Sequence, residues 1–246
     1  MILRLLSYNI RYGGTGREGA IAACVTAAAP DVVVFQEATD KAVIERLAAA
    51  TGLPHWGVRP GDSLGFISRI PVEAKWHRPR LSRHAFLTLA PVGTEWRVFG
   101  LHLSAVHAAW TERHRVYELR ALLNAIGREQ PGPHVLVGDF NTLAPGELLD
   151  ARRLPARLRA LVWLSGGKIR WRTIQTVLDA GYVDAYRHLH PDLVGNTFPT
   201  WDPHVRLDYL FVPGGHIANV RACEVLTPEH AAAASDHYPF FSELDC

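Results

Sequence analysis

Between residues 55 and 104 the chain carries strand after strand and no helical pattern. Gly65–Ser68, Ala85–Ala90 and Arg97–Leu103 are short runs rich in β-branched or aromatic residues, bounded by Pro or Gly. On either side of this region helices alternate with strands. Ile21, Cys24, Val25 and Ala28 share one helical face, as do Val43, Ile44, Leu47 and Ala48, with Gly52 as a C-terminal stop. Val116, Leu119, Leu122, Leu123 and Ile126 form a third stripe with Thr111 as its expected N-cap, and Ile174, Val177 and Leu178 a fourth that ends near Gly181. Further strands are expected over Ile2–Tyr8, Val32–Phe35, Val135–Val137, Leu207–Val212, Val220–Leu226 and Tyr238–Leu244. A block of strands with no helix between them excludes simple βαβ alternation. Helices at both ends of such a block imply two packed sheets with helices outside. No linker, repeat or low-complexity tract interrupts the pattern, so one domain over 1–246 is expected.

With 48% hydrophobic and 20% charged residues the chain can bury a sizeable core. Cys24, Cys223 and Cys246 are far apart and form no C-x-x-C pair, which argues against a disulfide framework or a zinc knuckle. The apolar run of MILRLLSYNI is too short for a signal segment, and no run is long enough to span a bilayer. A soluble, cytoplasmic protein is the expectation.

Polar residues recur where strands begin or end. LLSYN ends at Asn9, VVVFQE at Glu37 and RVFGLH at His102. VLVGDFNT carries Asp139 and Asn141, which share a face if the segment stays extended. LDYLFV begins with Asp208, and SDH places Asp236 and His237 before the last strand. Singly, each has an ordinary role: a turn, a cap, a core histidine, or for Asp208 a pair with Arg206. Together they would bury acidic groups repeatedly beside core strands, which is costly unless they are paired or bind a metal. Ligands in open sheets sit at strand ends. Asn, Asp and Glu are hard oxygen donors suited to Mg²⁺ or Mn²⁺, which keep waters or phosphate oxygens in their shell. The histidines and an Asn can then donate to a phosphoryl group while an Asp orients water. No G-x-S-x-G nucleophile and no phosphate-binding G-x-x-x-x-G-K-[ST] loop is present.

The ordered set YN (8–9), QE (36–37), HL (102–103), GDFN (138–141), LDY (207–209) and SDH (235–237) resembles the endonuclease/exonuclease/phosphatase superfamily over nearly the whole chain. That group includes deoxyribonuclease I, abasic-site endonucleases, neutral sphingomyelinases and inositol polyphosphate 5-phosphatases. The resemblance implies an α/β fold, a four-layer sandwich of two mixed sheets packed face to face with helices outside. It implies Asn9, Glu37 and Asp236 as ligands of Mg²⁺ or Mn²⁺. Asp139 would orient or deprotonate the attacking water, and Asn141 would hold Asp139 and a phosphate oxygen. His237 would bond the scissile phosphate with Asp208 fixing its ring. His102 would touch the phosphate or help protonate the leaving oxygen.

The superfamily cleaves several kinds of phosphoester, so its motifs leave the substrate open. Val205 stands where abasic-site endonucleases place Trp, and His102 where they usually have Tyr. Phe198 of TFPTW resembles part of their pocket, and we take Phe198 and Trp201 as substrate-binding candidates. Residues 151–172 hold seven basic and no acidic residues, leaving 19 basic against 24 acidic elsewhere. Arg170 and Arg172 of this segment are candidate contacts to a nucleic-acid backbone. An anionic membrane surface and a solvated surface helix are the alternatives. A nuclease acting on DNA or RNA is therefore expected. A sphingomyelinase-type or inositol-phosphate hydrolase is the alternative, and a silent binding protein fits the complete residue set least. No obligate protein partner is implied.

Overall fold

The computed structural model describes residues 1–79, 82, 84–105, 109–129, 132–148, 150–153, 159 and 171–246. Twelve strands are described. They are β1 (Ile2–Asn9), β2 (Val32–Gln36), β3 (His55–Val58), β4 (Leu64–Ser68), β5 (Val72–His77), β6 (Phe86–Pro91), β7 (Arg97–His102), β8 (His134–Asp139), β9 (Tyr182–Asp184), β10 (Asp208–Pro213), β11 (Val220–Val225) and β12 (Phe240–Asp245). The α-helices among them are α1 (Glu18–Ala28), α2 (Lys41–Thr51), α3 (Ala109–Glu129), α4 (Arg172–Asp179), α5 (Ala185–Leu189) and α6 (Ala231–Ala234).

The strands form two six-stranded sheets. One has the order β11-β12-β1-β2-β4-β3 and the other β5-β6-β7-β8-β10-β9. Each is antiparallel apart from one central parallel pair, β1 with β2 and β7 with β8. Side-chain alternation then sorts the core into three layers. Leu3, Leu5, Val32 and Val34 of the first sheet meet Leu87, Val98, Val135, Val137 and Leu210 of the second in the central layer. The opposite faces carry Leu6, Tyr8, Val33 and Phe35 against α1 and α2, and Phe99, Leu101, Leu136 and Phe211 against α3 and α4. This is the four-layer α/β sandwich that the resemblance implied.

Local signals explain both ends of α2. Asp40 caps α2 by accepting from the Ala42 and Val43 N–H groups at 2.9 and 3.4 Å, and Gly52 closes it at φ 67°. Thr111 is not the N-cap of α3: the helix already runs from Ala109, and Thr111 lies buried in its first turn. The strands not separately resolved in the sequence, β3, β5 and β9, all lie at sheet edges. No helix among the described residues is long and apolar enough to cross a membrane.

Candidate active site

The alternation that builds the central layer also aims the polar strand ends. Leu3 and Leu5 face that layer, so Asn9 on the same parity of β1 does too. The same counting carries Val135 and Val137 to Asp139, Val98 to His102, and Leu210 back to Asp208. Parallel β7 and β8 end together, with His102 opposite Asp139. Antiparallel β10 begins there, with Asp208 also opposite Asp139. In the other sheet β12 runs antiparallel to β1, with Phe240 opposite Ser7, which brings the preceding SDH segment to the Asn9 end. The cleft is therefore the open end of the inter-sheet layer.

Its centre is Asp139 Oδ2. The Asn9 and Asn141 amides donate to it at 3.0 and 3.1 Å. The Nε2 atoms of His102 and His237 each stand 3.8 Å from it. That is beyond direct hydrogen bonding and places both ring nitrogens at the same distance from one carboxylate oxygen. Asp139 and Asn141 do not meet through strand alternation, as the sequence suggested. Asn141 turns out of the strand at φ 52°, and its N–H donates to Asp139 Oδ1 at 2.8 Å, an Asx turn. The Asn141 amide also donates to the Leu103 carbonyl at 2.9 Å.

His237 Nδ1 is bonded to Asp208 Oδ2 at 2.8 Å, while Asp208 Oδ1 is buried with no hydrogen-bond partner among the described residues. Thr197 Oγ1 accepts the Asp208 and Leu207 N–H groups and fixes this carboxylate. Asp208 does not pair with Arg206. That guanidinium turns away to Asp184 and Glu147, each at 2.6 Å. His102 Nδ1 is held by Ser63 Oγ at 3.0 Å.

Burial and neighbours split the ionisation of these groups. Burial disfavours charge on His237, but Asp208 and Asp139 outweigh it and push the imidazole up to about 10. Burial, with His84 and His237 nearby, pulls His102 down to about 3, so it is neutral at physiological pH. Burial, opposed by His237 and reinforced by Asp208, raises Asp139 to about 7.

Glu37 follows β2 at φ 57°. Its carboxylate accepts from the Tyr12 N–H at 2.6 Å and the Asn9 amide at 3.3 Å. Asp236 approaches the Asn9 end through Ser235, whose Oγ donates to the Asn9 carbonyl at 2.6 Å, and it pairs with Arg11 at 3.3 Å. Phe198 packs on His237 with ring centres 4.9 Å apart, and exposed Trp201 lies 6.4 Å beyond it. Arg172 is exposed at the start of α4, whereas Arg170 lies outside the described residues. The apolar part of 151–172 that motivated a membrane contact also lies outside them. The structure thus gathers Asn9, Glu37, His102, Asp139, Asn141, Asp208, Asp236, His237 and Phe198 at one cleft. Sequence reasoning missed Arg11, Tyr12, Ser63 and Thr197. A cation and an aromatic directly before Gly13-Gly14, and only one residue past Asn9, are the signal that could have marked the first two.

A profile of the Endonuclease/Exonuclease/phosphatase family matches residues 6–237. The chain belongs to that family. Solved structures share the fold of this family member. A 3'-5' exonuclease, NExo, from Neisseria meningitidis is 20% identical with a TM-score of 0.75, covering 99% of this chain and 100% of its own. A 3' phosphatase NExo from Neisseria bound to product DNA hairpin is 21% identical with the same TM-score and coverage. An AP endonuclease from Archaeoglobus fulgidus is 16% identical with a TM-score of 0.74, again covering 99% and 100%. No curated protein matches the chain.

Members of the endonuclease/exonuclease/phosphatase family are generally dependent on a divalent metal. Among the described residues no three His, Cys or acidic side chains form a cage of their own. Mg²⁺ does not need one: it takes one or two carboxylates and completes its shell with water and phosphate oxygens. The half-buried Glu37 carboxylate, the adjacent Asn9 amide and Asp236 are all hard-oxygen donors. The residues present fit a hard divalent cation.

Proposed function

We propose that this protein is a Mg²⁺- or Mn²⁺-dependent phosphodiester hydrolase acting on nucleic acid, with the whole chain as one catalytic domain. The observation that carries this reading is the Asp139 centre: one buried carboxylate oxygen with two amide donors and two imidazole nitrogens 3.8 Å away. A base near neutrality beside a cationic donor is the pairing that water attack on a phosphate needs.

Asp139 accepts the proton of the attacking water. Asn9 and Asn141 hold its carboxylate in place. Charged His237 donates from Nε2 to a non-bridging phosphate oxygen, with Nδ1 directed by Asp208. His102, neutral, offers a hydrogen bond rather than a proton, which favours its contact to the phosphate over protonation of the leaving oxygen. Glu37, Asn9 and Asp236 would hold the cation, which polarises the phosphoryl group when bound. Nucleic acid is favoured because exposed Trp201 adjoins the cleft and because Arg172 of the basic segment is exposed at the start of α4. The Neisseria relative with a product DNA hairpin is consistent with this.

Purified protein incubated with DNA, RNA, sphingomyelin and inositol phosphates, with Mg²⁺, with Mn²⁺ and with EDTA, tests the reading. Nucleic-acid cleavage abolished by EDTA is expected. Glu37→Gln should keep the fold and raise the metal concentration needed, since it removes the charge that draws a hard cation. Asp139→Asn should lower turnover by roughly 10² or more. Full activity in EDTA, or cleavage of only the lipid or inositol substrates, overturns it.

A further inference from the structure

A chain of ring and guanidinium contacts leads from the catalytic dyad to solvent. Phe198 lies against His237 at 4.9 Å, and Trp201 lies 6.4 Å from Phe198. The Arg11 guanidinium stands 5.9 Å from the Trp201 ring and 5.4 Å from that of Tyr12. Burial falls steeply along this path. His237 is 5% exposed, Trp201 64% and Tyr12 79%. Large aromatic rings so open to water are uncommon, and here two of them flank one guanidinium at the mouth of the phosphate cleft.

The platform is held by the same groups that hold the cleft. Arg11 and Tyr12 both adopt left-handed backbone, at φ 49° and 48°, which is unfavourable for side chains of this size. Three bonds keep them there. The Arg11 N–H donates to Asn9 Oδ1 at 2.9 Å, the Tyr12 N–H to Glu37 Oε2 at 2.6 Å, and Arg17 donates to the Arg11 carbonyl. On the other side Arg153 pairs with Asp202 next to Trp201, and the Thr200 N–H donates to the Asp236 carbonyl at 2.9 Å. The backbone that carries the rings is therefore tied to Asn9, Glu37 and Asp236.

Building on the phosphodiesterase reading, we infer that Tyr12, Arg11 and Trp201 form a stacking platform for an unpaired nucleobase next to the scissile phosphate. The substrate class is then a strand with an unstacked nucleotide at the cleavage point: a single strand, a frayed end or a flap. Every base has a π-face, so such a platform is tolerant of sequence. The Arg11 charge faces the Asp236 carboxylate on one side and adds affinity for the adjacent phosphate on the other.

The test compares single-stranded oligonucleotides that carry either a base or a tetrahydrofuran abasic unit on each side of the cleaved phosphate. The readout is the ratio of kcat/KM with and without the base. Wild type should favour the base-bearing substrate by about tenfold, the size of one base–aromatic stack. Tyr12→Ala and Trp201→Ala should each bring the ratio towards one, Trp201→Phe should retain part of it, and Trp201→Leu should not. Anisotropy with the same oligonucleotides, without added metal, reads the platform independently of turnover. Base-dependent binding lost in the variants but without cleavage supports the platform and sinks the nuclease reading. Cleavage with a wild-type ratio near one, or a ratio untouched by Tyr12→Ala and Trp201→Ala, overturns the platform and leaves the nuclease reading standing.

Discussion

Asp208 directs one oxygen to His237 and leaves the other buried with no hydrogen-bond partner among the described residues. A buried carboxylate left half unsatisfied is costly. The cost is tolerated here because the charge both orients the His237 ring and keeps it protonated. The two residues therefore act as a unit, and their substitutions should not add. His237→Ala should lower kcat by roughly 10² or more, and Asp208→Asn by a smaller factor. The double variant should match His237→Ala alone, because the second change has no ring left to act on. Steady-state kinetics on all three proteins checks this, and clean multiplication of the two effects would refute the coupling. At this scale the gathering of the candidate residues at one cleft was legible in the sequence, because most stand at or beside the end of an apolar strand. Their contacts were not. Asn141 reaches Asp139 through a left-handed turn, and Ser63 and Thr197 contribute single hydroxyls that carry no pattern.

Strand β8 delivers Asp139 only because Gly138 precedes it. Gly138 sits at φ 144°, and a Cβ there would lie 2.0 Å from the Leu101 carbonyl oxygen of the neighbouring strand β7. Neither backbone can yield without breaking the register that sets His102 opposite Asp139. Gly138→Ala should therefore cost about 1–3 kcal/mol or more in stability. It should also reduce turnover in the fraction that still folds. Denaturant unfolding and kcat measured on the same preparation decide it. A variant with wild-type midpoint and rate would show that the close approach has no consequence. The elements themselves were legible in proportion to their burial. Central strands such as β2 and β8, buried throughout, read as continuous apolar runs. Edge strands did not stand out. β5 alternates half-buried and exposed residues, VEAKWH, and β9 has three residues. Helices α5 and α6, with five and four residues, are too short to show a helical period.

Across the whole molecule, the cleft needs two sheets held at one separation, and a small ionic clamp spans them. Asp62, buried in the turn between β3 and β4, pairs with Arg59 of its own turn and with Arg78, just past the end of β5 in the other sheet. Arg59 also donates to the Trp76 carbonyl of β5 at 3.1 Å. The next residue, Ser63, holds His102 Nδ1, and its carbonyl accepts the Ala38 N–H beside Glu37. The clamp therefore ties sheet separation to the placement of His102 and Glu37. Burial works against the Asp62 charge, but the two guanidiniums outweigh it and hold its carboxyl below the usual range. A carboxylate depressed in the folded state stabilises that state above its unfolded pKa of about 3.9, and this contribution is lost as pH falls through the lower, folded value. Asp62→Asn should cost about 2 kcal/mol at neutral pH, the range of hydrogen bonds to a charged group. The gap between wild type and variant should stay flat from neutral pH to about 5 and then close as pH drops below about 4. Urea unfolding of both proteins across that range measures it. A gap that persists unchanged at the acid end, or one that never existed at neutral pH, would show that the Asp62 charge does not hold the sheets together.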